Sequence, residues 1–469
     1  MAKLSGFPEL LPADRAVELA VTDALRRVFE LHGFANVETR AVEPVETLLR
    51  KGEIDKEVYV VRRIHDDASP GTSSASRSDA LALHFDLTVP FARYVVENAG
   101  KLEFPFRRYQ IQKVWRGERP QQGRFREFTQ ADIDIVGDGT LPFHADVEVA
   151  RVMAEALAAV ATVLGLGAGT TPGGGAGLRA APEELFTLQV SNRKVLEGFY
   201  LGLGVATPTA VMQVVDKLDK LPGEKVLELL AEAGLDDASA RACLALAEIS
   251  TEDTSFVERV RALGVQHPLL DEGLDELASV VAACADVEGV RVTADLRIAR
   301  GLDYYTGTVF ETRMNGHEQL GSVCSGGRYD ELASDGKRTY PGVGISLGLS
   351  RLLVPLVADG LTSSRPVPSA VLVAVTDEES RPASDSLAQR LRSRGIPTEV
   401  SAAAQKFGKQ IRTAERRGIP YVLFPGEPPS VKDIRTGDQV EVDPDTWTPP
   451  AHDLTPTVVG TPLSKETSP

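Results

Sequence analysis

The chain has 469 residues, of which 42% are hydrophobic and 25% charged, which places it among globular proteins with sizeable cores and excludes a disordered chain. Its 51 Lys and Arg stand against 67 Asp and Glu, and the net charge of -16 argues against indiscriminate adhesion to nucleic acid or membrane, so any RNA contact has to be regional. Cys243, Cys284 and Cys324 are too scattered for a disulfide framework, the opening residues lack a secretory core, and no apolar run of about eighteen residues occurs, all of which points to a soluble protein of a reducing cytoplasm.

At about 100 to 200 residues per domain, this length predicts three or so domains. Residues 15–31 carry Val17, Val21, Ala24, Leu25 and Val28 at helical spacing. From Val37 to about Gly137 the pattern changes to short alternating runs, interrupted by ASPGTSSAS at 68–76, and predicts a mostly antiparallel sheet with a hairpin loop. A helix is predicted over 145–165, ended by the run GAGTTPGGGAG at 167–177. That run lacks the Lys and Ser/Thr of a phosphate-binding loop, so it is read as a linker. The Leu-, Ala- and Glu-rich stretch 185–285 predicts a small helical insertion, after which sheet-like sequence runs to about Gly348 and a short helix begins at Ser350. Residues 358–369 form a Pro/Ser-rich linker. Beyond it AVLVAV, SDSLAQRLRSRG, PTEVSA, GKQIRTAERRG and YVLF alternate strand and helix, which predicts a small α/β domain with a largely parallel sheet. The polar, Pro-rich segment after Asp445 is expected to be disordered.

Alternate residues of a strand share a face. Three segments read as strands would each turn polar groups to one side: Asp86 and Thr88 in HFDLTVP, Arg108, Gln110 and Gln112 in FRRYQIQKVWR, and Phe128, Gln130, Asp132 and Asp134 in EFTQADIDIVG. An ordinary sheet with one solvated face would also look like this, but the mixture of Asp, Thr, Gln and aromatic residues suits a small cation with several N–H donors. Residues 101–126 carry eight Lys or Arg against two Glu, a local reversal of the chain's sign. Guanidinium groups at Arg116, Arg119, Arg124 and Arg126 in the tight loop RGERPQQGRFR suit phosphate or an RNA end. RGLDYYTG at 300–307 sets an arginine, an aspartate and two tyrosines between glycines that let the backbone approach a ligand closely. In KFGKQIRTAERRG, Lys409, Arg412 and Arg416 recur on one helix face, either solvated or meeting an anionic partner. The seven histidines form no i, i+4 pair, so no structural metal site is expected.

Together these residues resemble the class II aminoacyl-tRNA synthetases and, within them, the histidyl-tRNA synthetase family. GFANVETRAVEP, VWRGERPQQGRFREF and GVGISLGLSR resemble the three class signatures, and RGLDYYTGTVFE and VCSGGRYDEL resemble the two segments peculiar to the histidine enzymes. The resemblance runs from about residue 4 to 445. It implies an α+β catalytic core with a mostly antiparallel sheet and flanking helices in two parts, 1–166 and 289–358. The remaining segments are then a linker and helical insertion at 167–288, a linker at 359–369, an anticodon-binding-like α/β domain at 370–445, and a disordered tail at 446–469.

It further implies an enzyme that joins L-histidine to its tRNA through a histidyl-adenylate, with ATP as substrate, Mg²⁺ on the ATP phosphates, and a cytoplasmic homodimer whose interface includes Pro44. Carried over by position, Arg116 would hold the ATP α-phosphate, Phe128 would stack on adenine with Glu118 near its edge, and Arg351 would serve the nucleotide from the other side. Asp86, Thr88 and Gln130 would receive the substrate's α-amino group. Asp134 and Tyr305 would bond the imidazole nitrogens, with Tyr304 in the same histidine set. Arg300 would bridge the histidine carboxylate and the α-phosphate; Gln121 would meet the acceptor end of the tRNA, and Lys409, Arg412 and Arg416 its anticodon stem and loop. Ser350 stands where many class II enzymes have an acidic residue. Two rival readings keep the fold without the ligase activity: a paralogue regulating histidine biosynthesis, and a sensor of uncharged tRNA.

Overall fold

The computed structural model describes residues 4–49, 57–63, 80–121, 123–165, 184–219, 221–299 and 304–460. The loop at 68–76, the Gly-rich run 167–177 and Arg300 lie outside these. The chain forms two compact units, one of Met1–Pro8 with Thr22–Pro355 and the other of Glu9–Val21 with Leu356–Pro469.

Among the described residues of the first unit, nine strands form one sheet: β1 (Ala35–Asn36), β2 (Phe106–Trp115), β3 (Glu127–Val136), β4 (Phe186–Asn192), β5 (Ser250–Thr251), β6 (Arg291–Asp295), β7 (Thr308–Met314), β8 (Ser322–Tyr329) and β9 (Gly342–Gly348). Their order is β1-β2-β3-β9-β8-β7-β4-β6-β5. The run from β2 to β4 is antiparallel throughout. Only β1 with β2 and β4 with β6 run parallel. The mostly antiparallel sheet read from the sequence is therefore present. Ala131, Ile133 and Ile135 on β3 and Val343, Ile345 and Leu347 on β9 are buried, and the helices His144–Val163 and Pro268–Ala283 pack on the sheet. The alternate positions of β3, from Phe128 to Asp134, are left for polar work.

Two expectations change here. HFDLTVP is not a strand: the strand Leu81–Leu83 ends before it, and a helix occupies Thr88–Asn98. Asp86 Oδ1 accepts the Val89 N–H at 3.1 Å, satisfying a first-turn donor, and Pro90 falls in the first turn where its missing N–H costs nothing. The stretch expected as linker and helical insertion, 167–288, contains two strands of the main sheet, β4, lying between β7 and β6, and β5, at the edge beside β6. Phe186, Leu188 and Val190 alternate as a strand face, a signal diluted by the helical composition around it. The helices Arg193–Gly202 and Pro268–Ala283 pack against each other, and Pro208–Val215, Gly223–Glu232 and Asp237–Ala247 form the smaller helical group.

The second unit carries the expected alternation. Strands Thr398–Val400, Val371–Val373 and Tyr421–Phe424 are parallel neighbours, extended by antiparallel Ser430–Asp433 and Gln439–Glu441, with helices Arg381–Ser393 and Phe407–Arg416. Residues 446–460, expected to be disordered, are structured. Asp453 is buried and accepts Tyr421 Oη at 2.8 Å and Arg435 NH1 at 2.7 Å. Trp447 meets the Tyr421 ring edge-on at 5.5 Å, and Val458–Val459 pairs with Thr362–Ser363. A half-buried ion pair and an aromatic contact outweigh the polar composition of this segment.

Candidate active site

Strand β3 sets the axis of the site. Successive same-face residues of a strand lie about 6.6 Å apart, so Phe128, Gln130, Asp132 and Asp134 span roughly 20 Å along one line. Phe128 and Gln130 line an outer cleft of about 300 Å³, and Gln130, Asp132 and Asp134 line an inner chamber of about 110 Å³. The two cavities share Arg116, Gln130, Tyr304, Tyr305 and Ser346 in their walls and form one groove.

The inner chamber is held rigidly. Arg108, 0% exposed, faces Asp134 across the β2–β3 register, and its NH2 lies 2.7 Å from Asp134 Oδ2. Its guanidinium also sits 4.2 Å over the Phe91 ring. Tyr329 donates to Asp134 Oδ1 at 2.7 Å. Burial pushes the Tyr329 phenol well above its usual range, and the Asp134 charge adds to this, so Tyr329 is a standing donor. Burial likewise keeps Tyr305 a neutral phenol.

Glycine is required around these groups. A Cβ on Gly344 would lie 2.1 Å from Asp134 Oδ1, one on Gly327 would lie 2.8 Å from the Tyr305 ring, and one on Gly342 would lie 2.5 Å from the Tyr329 ring. Asp86 and Thr88 reach the chamber from the turn into the helix Thr88–Asn98.

On β3 itself, Gln130 Nε2 donates to Ser346 Oγ at 2.6 Å. Gln130 Oε1 and Asp132 Oδ1 are buried acceptors that meet no donor among the described residues. Burial pushes Asp132 up to about 7; the Arg108 charge opposes this and the Asp134 charge adds to it.

In the outer cleft the cations stand at the rim. Arg116 donates through Nε to Phe85 O at 3.0 Å, and its guanidinium lies 5.1 Å from the Phe128 ring centroid. Arg351 donates through Nε to Leu320 O at 2.9 Å and lies against Gly123 and Gly348. Ser350 Oγ accepts the Thr129 N–H at 2.9 Å, tying the helix after β9 to β3. Glu118 lines the same cleft, 3.6 Å from Arg124. Gln121 pairs with Arg124 at the hairpin tip, exposed and outside both cavities.

The family model described as Histidyl-tRNA synthetase matches residues 6–167 and 176–352, and the Anticodon binding domain model matches 369–446. The chain is 59% identical to the Histidine--tRNA ligase of Cutibacterium acnes over 98% of both chains, and 56% identical to that of Micrococcus luteus over 97% of this chain and 98% of the relative. The chain belongs to the histidyl-tRNA synthetase family. A crystal structure of histidyl-tRNA synthetase from Nostoc sp. PCC 7120 superposes with a TM-score of 0.79 at 32% identity, covering 95% of this chain and 97% of that one.

Against the residues that the family resemblance singled out, the structure brings Asp86, Thr88, Arg116, Glu118, Phe128, Gln130, Asp134, Tyr304, Tyr305 and Arg351 to one groove. Lys409, Arg412 and Arg416 lie apart from it in sequence, exposed on the helix Phe407–Arg416 of the second unit beside Phe407, itself 39% exposed.

Sequence reasoning gave no role to Tyr329, Ser346 or Arg193. Arg193 donates through NH1 to Tyr305 O at 2.7 Å and through its backbone N–H to Gly307 O, anchoring the tyrosine loop to the start of a helix. Tyr329 carried a signal, since it follows the paired glycines of VCSGGRYDEL; Arg193 carried none.

Proposed function

We propose that this chain ligates L-histidine to its tRNA in two steps, through a histidyl-adenylate. Class II synthetases use ATP, and the groove supports one path for both substrates: histidine in the inner chamber, nucleotide in the outer cleft, reacting atoms where Arg116, Gln130 and the tyrosine pair meet. The observation that carries this reading is the Arg108–Asp134–Tyr329 cluster, a buried anion with fixed partners, facing Tyr305 across a chamber of imidazole size. Asp134 accepts an imidazole N–H and Tyr305 serves the other nitrogen, with Tyr304 packed against it at 4.2 Å between ring centroids. An apolar analogue would leave these groups unpaired, which discriminates by about 10⁴ or more and makes an editing domain unnecessary.

Asp86, Thr88 and Gln130 take the α-amino group. Phe128 stacks on adenine with Glu118 near its edge, and Arg351 holds the nucleotide from the opposite wall. A carboxylate oxygen of histidine attacks the α-phosphorus; the bond to pyrophosphate breaks, and pyrophosphate leaves with the magnesium that entered on the nucleotide. Arg116, and Arg300 as the family resemblance implies, neutralise the approach of two anions, so positioning and fixed charge supply most of the rate. In the second step the 3′-hydroxyl of the terminal adenosine attacks the carbonyl, its proton passing to the departing phosphate. Gln121 meets the acceptor end, and Lys409, Arg412 and Arg416 meet the anticodon stem and loop.

The domain bounds follow the same reading: 1–166 and 289–358 as catalytic core, 167–288 as linker and insertion (with β4 and β5 belonging to the core sheet), 359–369 as linker and 370–445 as anticodon domain. A homodimer fits the exposed Val60, Val61 and Leu81 on the small sheet that contains Pro44. Among the described residues no helix is long and apolar enough to cross a membrane, and the three cysteines are buried and unpaired, which fits a cytoplasmic enzyme. The test is ATP–pyrophosphate exchange with each of the twenty amino acids. Exchange with histidine alone is expected; exchange with none, alongside retained tRNA binding, would favour the sensor.

A further inference from the structure

One carboxylate in the inner chamber has no task in this reaction. Asp132 is 3% exposed, sits on β3 between Gln130 and Asp134, and lies opposite Ser346 in the β3–β9 register and Gln110 in the β2–β3 register. The Ser346 hydroxyl, which accepts from Gln130, also hydrogen-bonds the Asp132 carboxylate, so one serine orients both side chains. Asp132 Oδ1 and Gln130 Oε1 meet no donor among the described residues. Buried acceptors without donors are destabilising, so two of them on one wall of a cavity mark a place that a ligand's N–H groups fill.

The charges around Asp132 define that ligand. Asp134 on the same strand and Asp86 from the turn before the helix are like charges. Arg108 on β2 faces it as well but is ion-paired with Asp134. Tyr329 and Cys324 on β8 are neutral, burial raising both, and Arg116 lines the same chamber. The wall is rich in acceptors and suits one more positive charge of small size.

We propose that Asp132 is a further substrate-binding residue that accepts one N–H of the substrate's α-ammonium group through Oδ1, beside Gln130 and Thr88, and releases a proton to solvent as that group enters. This rests on the histidine reading of the chamber. Burial keeps Asp132 largely protonated below about pH 7 when no cation faces it. Pairing with a fixed ammonium favours the ionised form, so affinity for an ammonium ligand is full above that pH and weakens as the pH falls below it, by up to about tenfold per unit.

Two competitive inhibitors of histidine-dependent pyrophosphate exchange isolate the effect: L-histidinol, which has the ammonium, and 3-(imidazol-4-yl)propionate, which lacks it. Both carry imidazole, but the ammonium of histidinol lowers its ring pKa and the carboxylate of the propionate raises it, so each inhibition constant is first corrected with the compound's own ring titration and the ratio is taken on the corrected values. In the wild-type protein the advantage of histidinol is expected to shrink about tenfold from pH 8 to pH 6. Asp132→Asn is expected to weaken histidinol about 30-fold or more at pH 8, to leave imidazolylpropionate within about twofold and the KM for ATP unchanged, and to remove the pH dependence of the ratio. A ratio that is flat with pH in the wild type, or a variant that weakens both compounds alike, would overturn the role of Asp132 while leaving the histidine reading intact. Failure of both compounds to compete, or absence of histidine-dependent exchange, would instead remove that reading and this proposal with it. The wild-type pH series needs no variant and decides the matter even if Asp132→Asn does not fold.

Discussion

The inner chamber and the outer cleft of one groove are built on opposite plans. In the chamber each carboxylate is buried, Asp134 is clamped by Arg108 and Tyr329, and glycines on β8 and β9 leave no slack around the side chains. In the cleft the cations are arginines at the rim that lean on backbone carbonyls, Phe85 O for Arg116 and Leu320 O for Arg351. The first plan reads a shape and a hydrogen-bond pattern and suits selection of one amino acid. The second supplies charge over a larger, open volume and suits a triphosphate whose charge moves during reaction.

The contrast can be broken most severely at Arg116. Arg116→Ala is expected to lower histidine-dependent exchange by about 10³-fold, with a melting temperature within about 2 °C of wild type because only a rim contact is lost. A large loss of stability would mean that the cleft is as tightly built as the chamber.

Gly344→Ala probes the other plan. Its Cβ would sit 2.1 Å from Asp134 Oδ1, so the carboxylate has to move. A rise of about a hundredfold in the KM for histidine is expected, with the KM for ATP nearly unchanged; equal changes in both would show that the two cavities are not separable. Replacing Lys409, Arg412 and Arg416 together by Ala should raise the KM for tRNA about tenfold, flatten its salt dependence by about two to three units of slope, and leave pyrophosphate exchange unaltered.

The smallest effect concerns the second unit. Burial alone would raise Asp453, but hydrogen bonds from Arg435 and Tyr421 hold it below the usual carboxylate range. Its contribution is therefore present above the unfolded value of about 4 and lost as the pH falls through the lowered folded value. Asp453→Asn should cost about 1–2 kcal/mol locally, seen as faster amide exchange over 447–460 at pH 7. Unchanged exchange would show that the aromatic contact with Trp447 alone holds the segment.

What the sequence disclosed depended on whether the signal was local. The β3 face was legible because a period of two shows in EFTQADIDIVG, and the C-terminal alternation because each element is short and bounded by turns. HFDLTVP matched the same period, yet its Pro90 belongs to a helix start capped by Asp86, and local alternation could not separate the two. Strand β4 was hidden in a helical composition, and residues 446–460 are ordered by Tyr421 and Arg435, partners that no local pattern reveals. Asp132 and Asp134 look alike in the sequence; only Arg108 and Tyr329, which clamp one and not the other, separate them.

The most direct measurement is a crystal structure of the protein with a non-hydrolysable histidyl-adenylate analogue. The account predicts the imidazole between Asp134 and Tyr305, adenine on Phe128, and the guanidiniums of Arg116 and Arg300 both within hydrogen-bonding distance of the group that replaces the α-phosphate. An analogue seated with its imidazole in the outer cleft, or with Arg300 turned away from that group, would contradict it.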